Sequence, residues 1–149
     1  LVRINQALHG RFMLLEYMNW GEELEADLNR YAIGKQAKAL TMGQGHAVYQ
    51  IGHPILEGYN AGRVFGRSNL SYEKLKEMNI INNEILLDDL INKKADFLYL
   101  SEEENENIKR ISIEKNVNFD DLSDYGYTLV KVYTFGKKIR YLYIDDKYL

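Results

Sequence analysis

The sequence contains no cysteine. Disulfides, thiol nucleophiles and thiolate metal sites are excluded together, while the redox compartment stays open, because a chain without thiols works in either. Its one proline, Pro54, has no amide proton for a ladder and marks a place where a central strand has to stop. No stretch approaches the roughly 18 consecutive apolar residues of a membrane span, and nothing is organised like a signal peptide. The 149 residues therefore read as a soluble piece. A strong excess of one charge is missing too: 19 basic against 22 acidic residues leave −3, too little for the chain as a whole to recruit nucleic acid. A phosphate-binding glycine loop is also lacking. Gly43 and Gly45 follow a helical pattern and precede a strand pattern, the reverse of the strand–loop–helix order that aims amides at a phosphate.

What remains is ordinary globular material, 46% hydrophobic and 28% charged, of a length that closes one core. The chain begins at Leu1 rather than Met, which is read as one α/β domain, 1–149, cut from a larger protein. Within it, 1–21 is a helical lead-in and 22–149 the core.

Apolar spacing at Leu8, Phe12, Leu15 and Met18 predicts a helix over 6–20, broken by Gly21. A second helix is expected over 22–41, with Leu24, Leu28, Tyr31, Ala32, Ala39 and Leu40 on its apolar side. Its acids lie early and its lysines late, as the helix dipole favours. Alternation predicts a strand over 46–51 and a shorter one over 63–65 between glycines. Helices follow over 72–78, capped by Ser71, and over 84–94, capped by Asn83, with Ile85, Leu86 or Leu87, Leu90 and Ile91 inward. The nearly unbroken apolar run 96–100 has the pattern of a strand covered on both faces. A polar helix over 102–115 and a helical turn over 120–125, closed by Gly126, come next. The clearest strands are 127–134 and 139–145, joined by Phe135-Gly136-Lys137-Lys138 as a hairpin. The expected fold is a mixed sheet flanked by helices, with a C-terminal β-hairpin and an N-terminal helical extension.

Candidate chemistry is sparse. The three histidines, His9, His46 and His53, have no HxH or HxxxH spacing, so polar residues at a strand mouth describe His46 and His53 better than a metal or catalytic pair. Asp88-Asp89 and Asp120-Asp121 are neighbours that diverge by about 100° on a helix, so neither pair converges on a bond. They read as solvated faces, as does the Glu102–Glu106 run. Six of the 12 tyrosines fall at 125, 127, 133, 141, 143 and 148. Alternation puts Tyr141 and Tyr143 on one sheet face, where packing is commoner than stacking on a ligand. The loop from Gly58 to Arg67 is the best ligand candidate. Its glycines permit close approach, and Arg63 and Arg67 supply forked donors for a phosphate or carboxylate. Tyr59 and His53 complete the candidate set. No catalytic residue, metal or cofactor is expected.

With these elements in order, the chain resembles the soluble C-terminal domain of polytopic glycosyltransferases that use lipid-phosphate sugars, the dolichyl-phosphate-mannose mannosyltransferase-like class. The resemblance is carried by 32–40, His46–Ile51, Tyr59-Asn60-Ala61-Gly62-Arg63-Val64, 87–95, Asp96-Phe97-Leu98-Tyr99-Leu100 and the hairpin 127–143. It covers about 24–145 as a succession of elements rather than a sharp motif. The helix over 6–20 departs from it, standing where a membrane span normally leads in. The resemblance implies a noncatalytic, extracytoplasmic domain of a bacterial membrane protein. Its partners would be the membrane portion of the same chain and a lipid-linked sugar or acceptor, with no nucleic acid. The catalytic aspartate of that class lies among membrane helices and maps to no residue here. Two other readings stand beside it: a freestanding protein-interaction or regulatory module, cytoplasmic in that case, and a small anion- or sugar-phosphate-binding domain using the 58–67 loop. Whether the reading frame continues upstream into hydrophobic spans separates the first from the others.

Overall fold

A computed structural model describes residues 21–41, 48, 51–56, 72–77, 83–117 and 119–149. The fold is organised around Phe97–Ser101, called β3 below, whose first four residues are all buried. Its side chains alternate between two cores. Leu98 and Leu100 enter one, and Phe97 and Tyr99 the other. A strand apolar on both sides has to lie inside a sheet with layers above and below it.

The chain runs from helix α1 (21–30) to β1 (Ala39–Leu40), β2 (Ile55–Leu56), α2 (Tyr72–Glu77), α3 (Asn83–Ile91), β3, α4 (Glu102–Glu114), a 3-10 turn (Leu122–Tyr125), β4 (Tyr127–Phe135), β5 (Lys138–Asp145) and a last 3-10 turn (Asp146–Tyr148). The sheet has five strands in the order β2-β1-β3-β5-β4. β1 is parallel to β2 and to β3. β5 is antiparallel to both β3 and β4. The architecture is α/β with a mixed sheet and a C-terminal hairpin, as the sequence pattern predicts.

Leu24 and Leu28 of α1 pack on one face with Ala39, Phe97, Tyr133, Leu142 and Ile144. On the other face Ile85, Leu86, Leu87 and Leu90 of α3 and Ile108 and Ile111 of α4 pack with Leu40, Leu98, Leu100, Tyr127 and Tyr143. Each large apolar side chain buried this way contributes roughly 1.5–3 kcal/mol.

Several expectations are corrected. The helix expected over 22–41 ends at residue 30, and Gly21 lies inside it rather than before it. Beyond it Ala32 takes φ 55°, and Ala39 and Leu40 become a strand held between β2 and β3. The bonds that fix this strand are long-range: the Ala39 amide donates to Pro54 O at 2.9 Å, and the Asp96 amide to Lys38 O at 2.7 Å. Tertiary pairing has overridden helix propensity. The strand expected over 46–51 is not formed as such, since Val48 is helical and Ile51-Gly52 turn with Gly52 at φ 79°. α3 stops at Ile91, whose side chain is 55% exposed. Asp89 is buried beside Lys94 Nζ at 3.6 Å rather than solvated. The helix over 6–20, the glycines at 43 and 45, the strand over 63–65 and the Ser71 cap lie outside the described residues.

Two junctions show how local chemistry sets the frame. Ser101 ends β3 and caps α4: Ser101 Oγ accepts from the Glu104 amide at 3.2 Å, and Glu104 Oε2 accepts from the Ser101 amide at 2.7 Å. This reciprocal box uses Glu104, a member of the acidic run, as a buried structural group. At Gly126, φ is 80°, a backbone state side chains rarely adopt. A Cβ there would also fall 2.5 Å from Lys93 Nζ, which bonds Gly126 O at 2.9 Å and pairs with Asp145 at 2.7 Å.

Candidate functional site

In an open sheet with parallel strands, ligands bind beyond the strand C-termini where successive connections leave in opposite directions. β1 is that place here, since the chain passes from β1 to β2 on one side and then crosses to β3 on the other. Thr41 follows β1 directly, Ser101 closes β3, and Leu56 closes β2 just before the segment that carries Tyr59, Arg63 and Arg67. The antiparallel hairpin extends the same end, because Ser101 is the register partner of Arg140 and Arg140 that of Tyr133.

Under α1 this end of the sheet is polar inside. Continuing the parallel register Leu40↔Leu98 by one residue sets Thr41 beside Tyr99. Thr41 is 0% and Tyr99 1% exposed, and among the described residues neither hydroxyl has a hydrogen-bond partner. A buried hydroxyl left this way costs roughly 1–3 kcal/mol, so packing alone does not account for either group. Tyr133 meets Tyr99 edge to face at 6.1 Å, and its hydroxyl donates to buried Asp27 Oδ2 at 2.7 Å. Asp27 also pairs with Arg30 at 3.2 Å.

The electrostatics define what this cluster does. Burial pushes the Tyr99 phenol well above its ordinary range, against a smaller opposing pull from Arg140. Burial, reinforced by the Asp27 carboxylate, does the same to Tyr133. Both phenols keep their protons at neutral pH. They are neutral hydrogen-bonding groups, and the Tyr133 proton is committed to Asp27.

Of the four site residues proposed from sequence, the structure describes His53; Tyr59, Arg63 and Arg67 lie outside the described residues. The His53 ring is buried, with its edge against Phe97 at 5.2 Å. Its Nδ1 lies 3.1 Å from Ala37 O, an acceptor, so Nδ1 carries the proton. Burial outweighs that bond and lowers its pKa. It stands before β2, at the opposite end of the strand from the exit toward Tyr59 and Arg63. His53 is thus engaged in fixing the turn that leads into β2. His9 and His46 lie outside the described residues.

The carboxylates at the entry end are likewise engaged. Asp96 accepts from the Lys38 amide at 2.7 Å and the Tyr148 hydroxyl at 2.8 Å, and pairs with Lys147 at 2.7 Å. These partners overcome burial and hold its carboxyl below the usual range. Asp121 caps the 3-10 turn and accepts from the Ser123 amide at 2.7 Å. Tyr141 and Tyr143 share a face, as alternation requires, with ring centres 6.4 Å apart. Tyr143 packs in the core and accepts from Asn105 Nδ2 at 3.0 Å. Among the described residues no three His, Asp or Glu side chains are grouped to hold a metal ion, and no helix is long and apolar enough to cross a membrane.

Comparison with known proteins yields no matching family model, no matching curated protein and no matching solved structure.

Sequence reasoning missed Thr41, Tyr99, Tyr133 and Asp27 as a group. Tyr133 and Asp27 are 106 positions apart, and no local pattern links them. The available signal was a tyrosine inside the otherwise aliphatic run of β3.

Proposed function

We propose that this chain is a noncatalytic, extracytoplasmic accessory domain of a bacterial membrane glycosyltransferase that uses a lipid-phosphate sugar. It packs over the membrane portion of its own chain and contacts a hydroxyl-bearing acceptor at the exit end of the parallel strands. The observation that carries the reading is how the described carboxylates are used. Asp27 holds Tyr133, Asp96 fastens the C-terminal turn, Asp145 pairs with Lys93, and Asp121 and Glu104 cap helical ends. These five carboxylates are committed to holding the fold, which supports a reading in which the reacting groups belong to another part of the protein.

Part of the element order supports the same reading, although 32–40 is not helical and Val48 does not lie in a strand. The apolar strand 96–100 followed by a polar helix and a terminal hairpin is the part of the resemblance the described residues cover most fully. The test is a transfer assay with a polyprenyl-phosphate sugar donor. Membranes holding the full-length protein should transfer sugar to acceptor, and purified 1–149 should transfer none. Transfer by purified 1–149 alone would reject the noncatalytic role.

A further inference from the structure

The net charge of −3 conceals an uneven distribution. From Tyr127 to Tyr143 the charged residues are Lys131, Lys137, Lys138 and Arg140, all cationic. Removing these four from the total leaves −7 on the rest of the chain. The hairpin, which closes on Asp145 paired with Lys93, is therefore a basic element, net +3, on an acidic domain.

Its geometry exposes that charge along an edge. Among the described residues β4 pairs with β5 alone and stands at the edge of the sheet. A register shift between Leu129 and Lys131 breaks the alternation, so that Lys131 and Val132 are exposed in succession. Leu129 is 44% and Val132 45% exposed. Lys137 stands exposed in the turn beside Gly136, which has φ 61°. One charge on an edge strand suffices to discourage pairing with another strand, and Lys131 serves that purpose. The turn lysine, and seventeen residues without an acid, exceed what edge protection requires.

Half-exposed apolar side chains interleaved with lysines, with Asp146 held by the Thr128 hydroxyl at the start of the strand, form a surface that suits a lipid headgroup layer. We propose that the outer edge and turn of the β4–β5 hairpin dock on an anionic bilayer. Leu129 and Val132 lie against the lipid, and Lys131 and Lys137 on its phosphates. The −7 on the remaining chain is repelled by the same surface, so the docked domain is oriented hairpin-down. Each basic side chain near such a surface strengthens binding roughly fivefold. Binding by the free domain is accordingly weak and salt-sensitive, and it becomes effective when a tether raises the local concentration of membrane. The proposal deepens the reading above by naming the surface on which the domain sits. The two fail separately: an upstream frame without spans leaves vesicle binding untouched, and absent vesicle binding leaves the transferase reading standing.

The test is cosedimentation of the 149-residue chain at low salt. One set of vesicles is phosphatidylcholine alone, and the other contains about one third phosphatidylglycerol. The expected result is binding to the anionic vesicles only, lost as salt rises. Lys131→Glu with Lys137→Glu should weaken it at least tenfold at unchanged melting temperature. Lys137→Glu alone lies in the turn and carries the test if the strand substitution unfolds the chain. Leu129→Ser with Val132→Ser should weaken binding while preserving its salt dependence. No binding to anionic vesicles, equal binding to neutral ones, or full competition by inorganic phosphate would overturn the proposal. A dimer in solution that the lysine substitutions dissolve would assign the edge to a second copy and overturn it as well.

Discussion

The Tyr133 hydroxyl donates to Asp27 Oδ2 at 2.7 Å and so ties the terminal hairpin to the first described helix. The bond is buried at both ends. It joins positions 106 apart, and it closes one wall of the polar cluster around Tyr99. Tyr133→Phe removes it while keeping the ring. A buried hydrogen bond to a carboxylate contributes about 1.5–3 kcal/mol, and that loss is the expected shift in urea unfolding. Asp27→Asn in the Tyr133→Phe background should add little, giving a coupling above about 0.5 kcal/mol in the double-mutant cycle. Additive effects would show that the two groups do not act on each other.

The terminal hairpin is part of the core rather than an appendage. Tyr127, Tyr133, Leu142, Tyr143 and Ile144 are all buried, and they contribute to both clusters. At roughly 1.5–3 kcal/mol each, their sum matches the whole stability of an ordinary domain, about 5–15 kcal/mol. Deleting 127–149 should leave a product without a cooperative thermal transition. A truncated chain that still melts sharply would show that the remaining strands suffice.

The junction between β3 and α4 depends on one serine. Ser101→Ala removes the side-chain half of the capping box and should cost about 1 kcal/mol, read as a lowered melting temperature. Ser101→Asp restores an acceptor and should recover most of the loss. A Ser101→Ala protein as stable as the parent would mean that the Glu104 half holds the helix start by itself.

Acid should act in two steps. His53 has its pKa lowered, chiefly by burial, from an ordinary 6.5. The unfolded chain therefore binds the proton more readily, and the contribution of neutral His53 is complete above pH 6.5 and lost as pH falls through its folded value. Asp96 is held below 3.8 by Lys147, the Lys38 amide and Tyr148 against burial. Its contribution is complete above that pH and lost as pH falls further. Urea midpoints measured from pH 7.5 downward should decline below pH 6.5 in the parent and less steeply in His53→Gln. Asp96→Asn should flatten the second step. Identical slopes in parent and His53→Gln would remove His53 from the acid response.

β3 and the hairpin were legible in the sequence because each is long enough to show a period: five residues apolar on both faces, and two strands of nine and eight residues joined at Gly136. β1 and β2 were not, since two-residue strands have no period at all. Ala39 and Leu40 continued the helical spacing of 22–30 by coincidence, and the hydrogen bonds that make them a strand, from the Ala39 amide to Pro54 O and from the Asp96 amide to Lys38 O, come from distant sequence. The polar cluster was hidden for the same reason. Thr41, Tyr99, Tyr133 and Asp27 meet only after four separate elements have packed. His53 showed the opposite limit, because its residue type suggested chemistry while its burial against Phe97 gives it a packing role.

If the reacting groups lie in a membrane portion of the same chain, the gene encodes that portion outside 1–149. Sequencing the native reading frame upstream of Leu1 tests it most directly. Several stretches of about 20 apolar residues are expected there, each long enough to span a bilayer. A frame that adds no such span would contradict it and favour a freestanding interaction module.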